Sequence, residues 1–439
     1  MPLNEQQTNC LRNLQDFIKS DNKLFLVNGE AGSGKTYLIK QFIQEISDDK
    51  SVAIGAPTNK ACKVLSSRIK NDSVPIQTVH RFLGLTMKQI EEKQVLFKSV
   101  WNFSQMENYD VFIVDEGSMI DKMIFDIIYN KIHSILGENT KVIYFADEAQ
   151  IQPVGEERSQ IFRIKNRFDL TEIVRQSKNS PLMPLIQATR QLVLGSQRIK
   201  FDEFLINNFR GNEGVLIYPY EKWMNQVLKS FNSKNYEQNP FGHSKIITWR
   251  NRTSDRLAYQ VRAKLDKVSQ PYEAGDLIYT KEAVKHPHDE NVIVLQNCSE
   301  LEITKAKAFD YSINGQSIKA WKLTVWEAND DTRTSQTINI IDPNHTNIFR
   351  AIMTEMAEAA KEWQRENPKG DSSKLWRKFY QHKFNFAEVS HIHAITVRRS
   401  QGSEWENCFV WLPDLIASRD WSHLYTAFTR TKKRLIIGV

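Results

Sequence analysis

The sequence GEAGSGKT, which begins at Gly29, has the residue types and spacing that bind nucleotide phosphates. Glycines such as Gly32 and Gly34 let consecutive backbone N–H groups turn inward around phosphate oxygens. Lys35 can then reach the β- and γ-phosphates, and the Thr36 hydroxyl can bind Mg²⁺. The alternative is a glycine-rich turn that matches by chance. An apolar strand before the segment and a helical pattern after it favour a P-loop that binds ATP and Mg²⁺.

Two carboxylates directly follow the apolar run Val111–Val114. Asp115 would hold Mg²⁺ through water, and Glu116 would polarise an attacking water as the general base. A nucleotide kinase needs a metal-binding carboxylate but not this water-activating glutamate, so the pair favours hydrolysis over phosphoryl transfer. Gln150, which follows the run Val142–Ala146, could contact the γ-phosphate or the attacking water; an ordinary polar loop is the alternative.

Short apolar runs that alternate with helical patterns must position these residues. Thr36–Ile46 places its apolar residues on one helical face. The order of strand, glycine turn, helix and strand is typical of a doubly wound α/β domain. The same alternation of apolar runs and helical patterns resumes after residue 170, which predicts a second α/β domain. Four runs are predicted to form buried strands of a parallel sheet in the first domain: Leu24–Val27, Val52–Gly55, Val111–Val114 and Val142–Ala146.

Two segments interrupt this organisation. Within the first domain, residues 1–170, the segment 82–104 has mixed charges and no strong period, which predicts a small inserted hairpin. Residues 269–387 first alternate apolar and polar positions, as half-buried antiparallel strands do, and then show helical spacing. We therefore expect a β-rich module with a helical appendage, inserted into a second domain made of residues 171–268 and 388–439.

Charge and cysteine content limit the class of protein. Lys and Arg total 59 against 52 Asp and Glu, a net charge of +7 that permits a polyanionic partner without requiring one. The four cysteines are far apart, which does not fit a disulfide framework and fits a reducing compartment. The polar N-terminus has no signal-peptide pattern, and no apolar run approaches the ~18 residues of a membrane span. We expect a cytoplasmic protein, in the host cell if viral, with no membrane partner.

In sequence order, these segments resemble the motifs of superfamily 1 helicases, and further motifs follow where that family has them. The resemblance extends from Gln7 to about Lys432 and is closest to the RecD-like class B, in particular its Dda-like bacteriophage branch. That branch shares the start Leu3–Gln7 and the inserted segment ending Val95–Phe97. The segments that carry the resemblance beyond the P-loop are Ala56–Ala61, Thr78–His80, Asp115–Met119, Ala146–Val154, Leu170–Gln176, Thr396–Glu404 and Tyr425–Thr431.

The resemblance implies two RecA-like P-loop NTPase domains with parallel sheets, a hairpin insertion and an SH3-like β-rich insertion. It implies an ATP- and Mg²⁺-dependent DNA helicase that moves 5′ to 3′ on single-stranded DNA, in phage replication or recombination. Its partners would be single-stranded DNA, DNA forks and single-strand-binding or replisome proteins, and it would act as a monomer. The alternatives are a DNA-dependent ATPase switch or remodeller without strand separation, and a nucleotide or small-molecule kinase.

The resemblance also assigns residues. Arg175 and Arg430 would be arginine fingers that neutralise γ-phosphate charge when the domains close. Without the motif context, either would be a surface ion pair. Gln7 would read adenine, and Gly402 would lie at the nucleotide. Phe97 would tip the strand-separating hairpin, with anchoring of the hairpin to its domain as the alternative.

Single-strand binding is expected at short polar side chains and at aromatic rings. Short donors at loop starts suit phosphates, and rings can stack bases without regard to sequence. For each ring, burial in a core is the alternative, since buried aromatic residues are common. The expected polar contacts are Thr58, Asn59, His80 and Thr396, and the rings that could stack bases are Phe82, Trp249 and Trp321.

Overall fold

The structure is a computed structural model that describes residues 3–90, 93–98, 104–174, 180–195, 200–266, 270–286, 289–328, 334–367 and 370–439. For residues 86–90, 93–98, 266 and 289–291 it describes the backbone alone. The chain divides into two units, one of residues 1–86, 96–254 and 395–439, and one of residues 87–95 and 255–394. No helix that the structure describes is both long and apolar enough to cross a lipid bilayer.

The first part of the chain forms a parallel sheet with helices on both faces. The strand order is β3-β2-β6-β7-β1-β8, and every neighbouring pair is parallel. Its elements are α1 (Glu5–Lys19), β1 (Leu24–Gly29), α2 (Lys35–Ile46), β2 (Val52–Ala56), α3 (Asn59–Ile69), β3 (Ile76–Thr78), α4 (Val79–Phe82), β4 (Leu85–Ile90), β5 (Lys93–Lys98), β6 (Val111–Val114), α5 (Lys122–Ile132), β7 (Lys141–Ala146) and β8 (Arg167–Leu170).

Burial on both faces explains why these strands are almost continuously apolar. Leu26 and Val27, neighbours on β1, are both fully buried but belong to two different core clusters, one on each face of the sheet. On one face, α2 buries Leu38, Ile39 and Phe42 against the sheet. The predicted α/β class with a parallel sheet is therefore confirmed.

A second six-stranded sheet follows the order β19-β11-β20-β21-β10-β9. The pairs β11–β20, β20–β21 and β10–β21 are parallel, and β9 adds an antiparallel edge. Its strands come from two stretches of chain, on either side of the β-rich segment. Before that segment lie α6 (Met183–Leu194), β9 (Asn208–Arg210), β10 (Glu213–Tyr218), α7 (Tyr220–Phe231), α8 (Lys234–Gln238), β11 (Ser244–Thr248) and α9 (Asn251–Asp266).

The β-rich segment forms an antiparallel sheet of the order β17-β16-β15-β12-β18, together with a separate pair β13–β14 and two helices. Its elements are β12 (Leu277–Thr280), β13 (Val284–His286), β14 (Asp289–Leu295), β15 (Glu300–Ile313), β16 (Gln316–Glu327), β17 (Ser335–Ile341), α10 (Thr346–Glu366), α11 (Ser373–Phe384) and β18 (Val389–His391). The chain then completes the second sheet with β19 (Ala394–Thr396), α12 (Val397–Ser400), β20 (Trp405–Trp411), α13 (Leu412–Ile416), α14 (Trp421–Phe428) and β21 (Thr431–Gly438).

The inserted segment of the first domain contains β4 and β5, which pair in a two-stranded sheet. Phe97 belongs to β5, but its side chain lies outside the described part of the structure. Its assignment as the fork-facing ring, like the exact domain boundaries, stays a prediction.

Two of the three aromatic residues considered for base stacking are core residues. Phe82 is fully buried and its ring packs edge-on against Phe112, with centroids 5.1 Å apart. Trp321 is buried in the core of the antiparallel sheet, where its indole N–H donates to Asp342 Oδ2 at 2.8 Å. Core packing, the alternative for both, is therefore correct.

Candidate nucleotide site and strand-binding loops

The P-loop connects the end of β1 to the start of α2, as its sequence predicts. Gly32 and Gly34 have φ angles of 88° and 83°, a left-handed conformation that favours glycine. At Gly34 a Cβ atom would also lie 2.4 Å from Gln7 Nε2, so the Gln7 side chain would have to move for a larger residue. Lys35 Nζ donates to the Gly29 carbonyl at 2.6 Å, which holds the lysine across the loop.

A cavity of about 400 Å³ opens in front of this loop. That volume is within the usual range for a small-molecule site. Its walls come from the P-loop, from the ends of β6 and β7, and from chain segments that belong to the second sheet. The predicted site residues that line it are Gly32, Gly34, Lys35, Thr36, Asp115, Glu116, Gln150, Gly402 and Arg430.

The carboxylate pair follows the end of β6. Asp115 is buried, and both Asp115 and Glu116 line the cavity. Burial, reinforced by the Glu116 charge, raises the pKa of Asp115 to about 7. The Glu116 N–H donates to Asp115 Oδ1 at 2.9 Å and partly offsets this effect. The carboxylates of Asp115 and Glu116 and the Thr36 hydroxyl line the same cavity, and oxygen atoms are the ligands that Mg²⁺ prefers. Asp115 and Thr36 therefore fit a magnesium ion.

Gln150 belongs to the loop that follows β7. Its side chain is almost fully buried, and its Oε1 accepts no hydrogen bond from the residues that the structure describes. A buried polar atom without a partner is costly unless a ligand or water satisfies it. Because Gln150 also lines the cavity, this atom fits the predicted contact with a phosphate or an attacking water.

Arg430 follows α14 and brings a positive charge from the second sheet into the cavity wall. The residue is only 4% exposed, and its guanidinium donates to the carbonyls of Thr426 and Ser403 and to the Thr429 hydroxyl. All these acceptors are uncharged, so Arg430 has no carboxylate partner among the described residues. This environment is unlike that of a surface ion pair, and it suits a residue that meets an anionic ligand.

Arg175, the other predicted finger, lies outside the described residues. The chain immediately before it is described, and the Val174 N–H donates to the Gly32 carbonyl at 2.9 Å. The backbone therefore reaches the P-loop one residue before Arg175. Its role as a finger stays a prediction.

Gln7 is buried against the P-loop and does not line the cavity. Its Nε2 donates to the Ser33 carbonyl at 2.9 Å, and its Oε1 accepts from the Asn4 N–H at 3.1 Å, as part of the capping box of α1. Both ends of the amide are thus engaged with backbone. The contacts indicate support of the P-loop, and the predicted contact with adenine remains untested.

The expected strand contacts lie where strands of the two sheets end. Thr58 and Asn59 follow β2, and His80 follows β3, all at the carboxyl edge of the first sheet. Thr396 ends β19 and Trp249 follows β11 in the second sheet. Loops at this edge are the usual place for ligands in such folds. Burial lowers the pKa of His80, so its imidazole is neutral at neutral pH and still able to donate one hydrogen bond.

Trp249 is the one ring of the three that is half-buried. The Arg250 guanidinium lies 4.7 Å from its ring centroid, and the backbone N–H of Trp249 donates to Asp414 Oδ2 at 2.6 Å. The same carboxylate accepts from the Thr253 hydroxyl at 2.7 Å and so fixes the start of α9. A half-buried ring beside a cation, on a backbone that Asp414 holds in place, suits base stacking, which remains a prediction.

One cluster of polar side chains at the site was not predicted from the sequence. Arg190 on α6 pairs with Glu30 of the P-loop and with Asp147 of the loop after β7. Tyr425 of α14 donates to the same Asp147. Asp147 and Tyr425 lie within segments that carry the family resemblance, which was the available signal for them. Arg190 lies in none, and only its position on α6 brings it to the P-loop.

Comparisons with known proteins agree with this architecture. Residues 2–204 match the AAA domain family, and residues 391–437 match the UvrD-like helicase C-terminal domain. An uncharacterized protein of Acanthamoeba polyphaga mimivirus is 26% identical, over 98% of this chain and 99% of its own length. The ATP-dependent DNA helicase dda of Enterobacteria phage T4 is 24% identical, over 94% of this chain and 92% of its own.

Among solved structures, Pif1 helicase from Bacteroides in complex with ADP-AlF3 and ssDNA shares the fold, with a TM-score of 0.52 and 14% identity. The alignment covers 99% of this chain and 92% of that one. The fold and the cavity thus define a P-loop protein with two RecA-like domains. Along nearly its whole length the chain is similar to the phage T4 dda helicase, and over about 30% of its length it is similar to a RecD subunit of the RecBCD enzyme from Buchnera aphidicola.

Proposed function

We propose that this protein is an ATP- and Mg²⁺-dependent DNA helicase that moves 5′ to 3′ on single-stranded DNA and separates duplex DNA. One observation carries the proposal: a single cavity is lined by the P-loop and Glu116 from the first sheet and by Arg430 from the second. A site built from two domains can make hydrolysis depend on how the domains are arranged. The name of the phage T4 relative supports ATP and DNA as substrates.

Under this proposal, the chemically active residues that line the cavity have distinct roles in hydrolysis. Lys35 binds the β- and γ-phosphates, and Thr36 and Asp115 hold the metal, the latter through water. A bound Mg²⁺ ion would neutralise phosphate charge. Glu116 accepts a proton from the attacking water, which Gln150 orients.

Arg430 and, as the family resemblance implies, Arg175 would neutralise the charge that develops on the γ-phosphate. Gly402 lies next to α3, since a Cβ there would be 3.5 Å from Ala61, and its φ of 74° favours glycine. Gly402 also lines the cavity, so it would form part of the second-domain wall at the nucleotide.

Coupling to DNA follows from where the strand-binding loops begin. Thr58 and His80 lie on the first sheet, and Thr396 and Trp249 lie on the second, so one strand would contact both domains. If ATP binding and hydrolysis alternately close and open the domains, the two sets of contacts move relative to each other along the strand. The protein would act as a monomer, in the host cytoplasm, and would meet single-strand-binding or replisome proteins at forks.

Partial duplexes with a single-stranded 5′ or 3′ tail test this function and its polarity together. With ATP and Mg²⁺, we expect displacement from the 5′-tailed substrate and not from the 3′-tailed one, with Lys35→Ala as the inactive control. DNA-stimulated ATP hydrolysis without displacement would instead establish a switch or remodeller. ATP turnover that is not stimulated by DNA and that requires a small-molecule phosphate acceptor would establish a kinase.

A further inference from the structure

Five groups form a closed ring of polar contacts around the start of the P-loop. The Ala31 N–H donates to Tyr425 Oη at 3.3 Å, and Tyr425 Oη donates to Asp147 Oδ2 at 2.8 Å. Arg190 Nη1 donates to Asp147 Oδ1 at 2.8 Å, and Arg190 Nε lies 3.2 Å from Glu30 Oε1. Glu30 and Ala31 are neighbours in the chain, so the ring closes. We call these five residues the P-loop clasp.

Tyr425 and Asp147 are buried and the other three members of the clasp are half-buried, which is costly for charged groups unless every charge is paired. Tyr425 is 1% exposed, and the side chains of Asp147 and Arg190 are 0% and 12% exposed. One guanidinium serves both carboxylates and lies 5.9 Å from the centroid of the Tyr425 ring. Apolar packing could hold the same elements together without this desolvation cost. The directional contacts therefore indicate a requirement for defined geometry.

Four of the five members of the clasp, all except Arg190, lie close in sequence to a residue with a proposed role in hydrolysis or within the P-loop. Asp147 precedes Gln150 by three residues in the loop after β7, and Tyr425 precedes Arg430 by five at the end of α14. Glu30 and Ala31 belong to the P-loop itself. The clasp therefore joins the three segments that carry the phosphate cradle, the water-orienting glutamine and the arginine finger.

A second contact beside the clasp strengthens the same connection. The Ile151 N–H, next to Gln150, donates to the Thr426 hydroxyl at 3.2 Å. The Thr426 carbonyl in turn accepts from Arg430 Nε at 3.0 Å. The loop that carries Gln150 is thus bonded to α14 at two consecutive residues, Tyr425 and Thr426.

We propose that Tyr425 and Arg190 are positioning residues for ATP hydrolysis, which hold the P-loop, Gln150 and Arg430 in reactive register. The proposal rests on the proposed ATPase function, and it adds two residues to which that function assigns no role. Neither residue lines the cavity, so neither is expected to contact ATP. Their loss should lower kcat more than it changes KM, because small errors in placement reduce turnover strongly.

The test compares Tyr425→Phe and Arg190→Gln with a matched control. Tyr425→Phe keeps the ring and removes both hydrogen bonds. Tyr144→Phe is the control, because Tyr144 is fully buried in the core and its hydroxyl has no partner among the described residues. We expect Tyr425→Phe and Arg190→Gln to lower the DNA-stimulated kcat by about 10- to 100-fold, with KM for ATP changed less than about threefold. Tyr144→Phe should leave both constants unchanged.

Two further variants separate positioning from general packing. Arg190→Lys should not restore kcat, since one ammonium cannot reproduce the fork that joins Glu30 to Asp147. The kcat of the double variant Tyr425→Phe/Arg190→Gln should be no lower than that of the slower single variant, because both residues act through the same P-loop clasp. Wild-type kcat in Tyr425→Phe, or rescue by lysine, would overturn the proposal. Full additivity of the two losses would also overturn it.

Hydrogen exchange of peptides that contain residues 29–36 gives a readout that needs no turnover. The Ala31 amide should exchange faster in Tyr425→Phe than in wild type or in Tyr144→Phe, with unchanged thermal unfolding. If wild-type protein hydrolyses no ATP, the proposed function fails, and exchange then decides on the clasp alone. Faster exchange supports the clasp, and unchanged exchange overturns it.

Discussion

Arg430 donates a hydrogen bond of 3.0 Å from its Nε to the carbonyl of Thr426, four residues earlier in the chain. The Thr426 hydroxyl accepts from the Ile151 N–H, in the loop that carries Gln150. Thr426 therefore holds Arg430 and is itself hydrogen-bonded to the loop that follows β7 of the first sheet. This relationship gives a physical reason why Arg430 should act on the same phosphate as Gln150.

Replacing Arg430 by alanine should lower kcat for ATP far more than it weakens ATP binding. Arginine fingers contribute about 10³–10⁵ in rate because they act on charge that develops in the transition state. Arg430→Lys should not restore activity, since the planar fork is lost. Lys433→Ala, which removes an exposed ion pair with Glu406, is the control and should be near normal. Steady-state kinetics with single-stranded DNA would check this, and near-normal turnover in Arg430→Ala would show that it is no finger.

Glu116→Gln should bind ATP normally and hydrolyse it very slowly. The amide cannot accept the proton of the attacking water, whereas the Asp115 contact to the metal remains. Nucleotide binding by fluorescence titration and single-turnover hydrolysis would separate these effects. A correctly folded variant that no longer binds nucleotide would assign Glu116 a different role.

Lys35→Ala should abolish ATP turnover and leave single-strand binding largely intact. Lys35 lies in the phosphate cavity, whereas the expected strand contacts follow other strands of the sheets. Fluorescence anisotropy with a labelled oligonucleotide, beside an ATPase assay, would measure both. Normal ATPase activity in this variant would contradict the assignment of the nucleotide site.

The raised pKa of Asp115 predicts how the stability of the folded protein should depend on pH when Mg²⁺ is absent. Its pKa is raised to about 7 in the folded protein, against roughly 3.9 in an unfolded chain, so the folded state binds the proton more tightly. The stability that this group contributes is therefore full below about pH 4 and is lost as the pH rises through about 7. In EDTA, the Tm of wild type should fall between pH 5 and pH 8 by more than that of Asp115→Asn. Parallel curves for the two proteins would contradict the raised pKa.

Phe97→Ala should uncouple the motor from strand separation. If Phe97 stacks at the fork, DNA-stimulated ATP hydrolysis and translocation should persist while unwinding falls sharply, since stacking contributes about 1–3 kcal/mol per base. Translocation assays and displacement of a labelled strand would be run on the same preparation. Equal loss of all activities with a lower Tm would instead show that Phe97 anchors the hairpin. Unchanged unwinding would assign strand separation to another residue.

Features that depend on neighbouring residues could be predicted from the amino-acid order. The apolar run Val111–Val114 coincides with β6, because a strand buried on both faces must be apolar throughout. The P-loop likewise needs only contiguous residues, since glycines such as Gly34 and the start of α2 form the phosphate cradle locally. Phe82 shows the limit: an aromatic residue near a strand-binding loop has no local signal that separates stacking from burial.

Contacts between distant segments were decided only by tertiary structure. Arg190 meets Glu30 across 160 positions of chain, and Tyr425 meets Ala31 across 394. No period or spacing links such residues, because packing of helices and sheets chooses which faces meet. The same applies to Gln7, whose amide is engaged by the Ser33 carbonyl through the docking of α1. Local order therefore sets the chemistry available at each loop, and the packing of the two sheets decides which loops share one cavity.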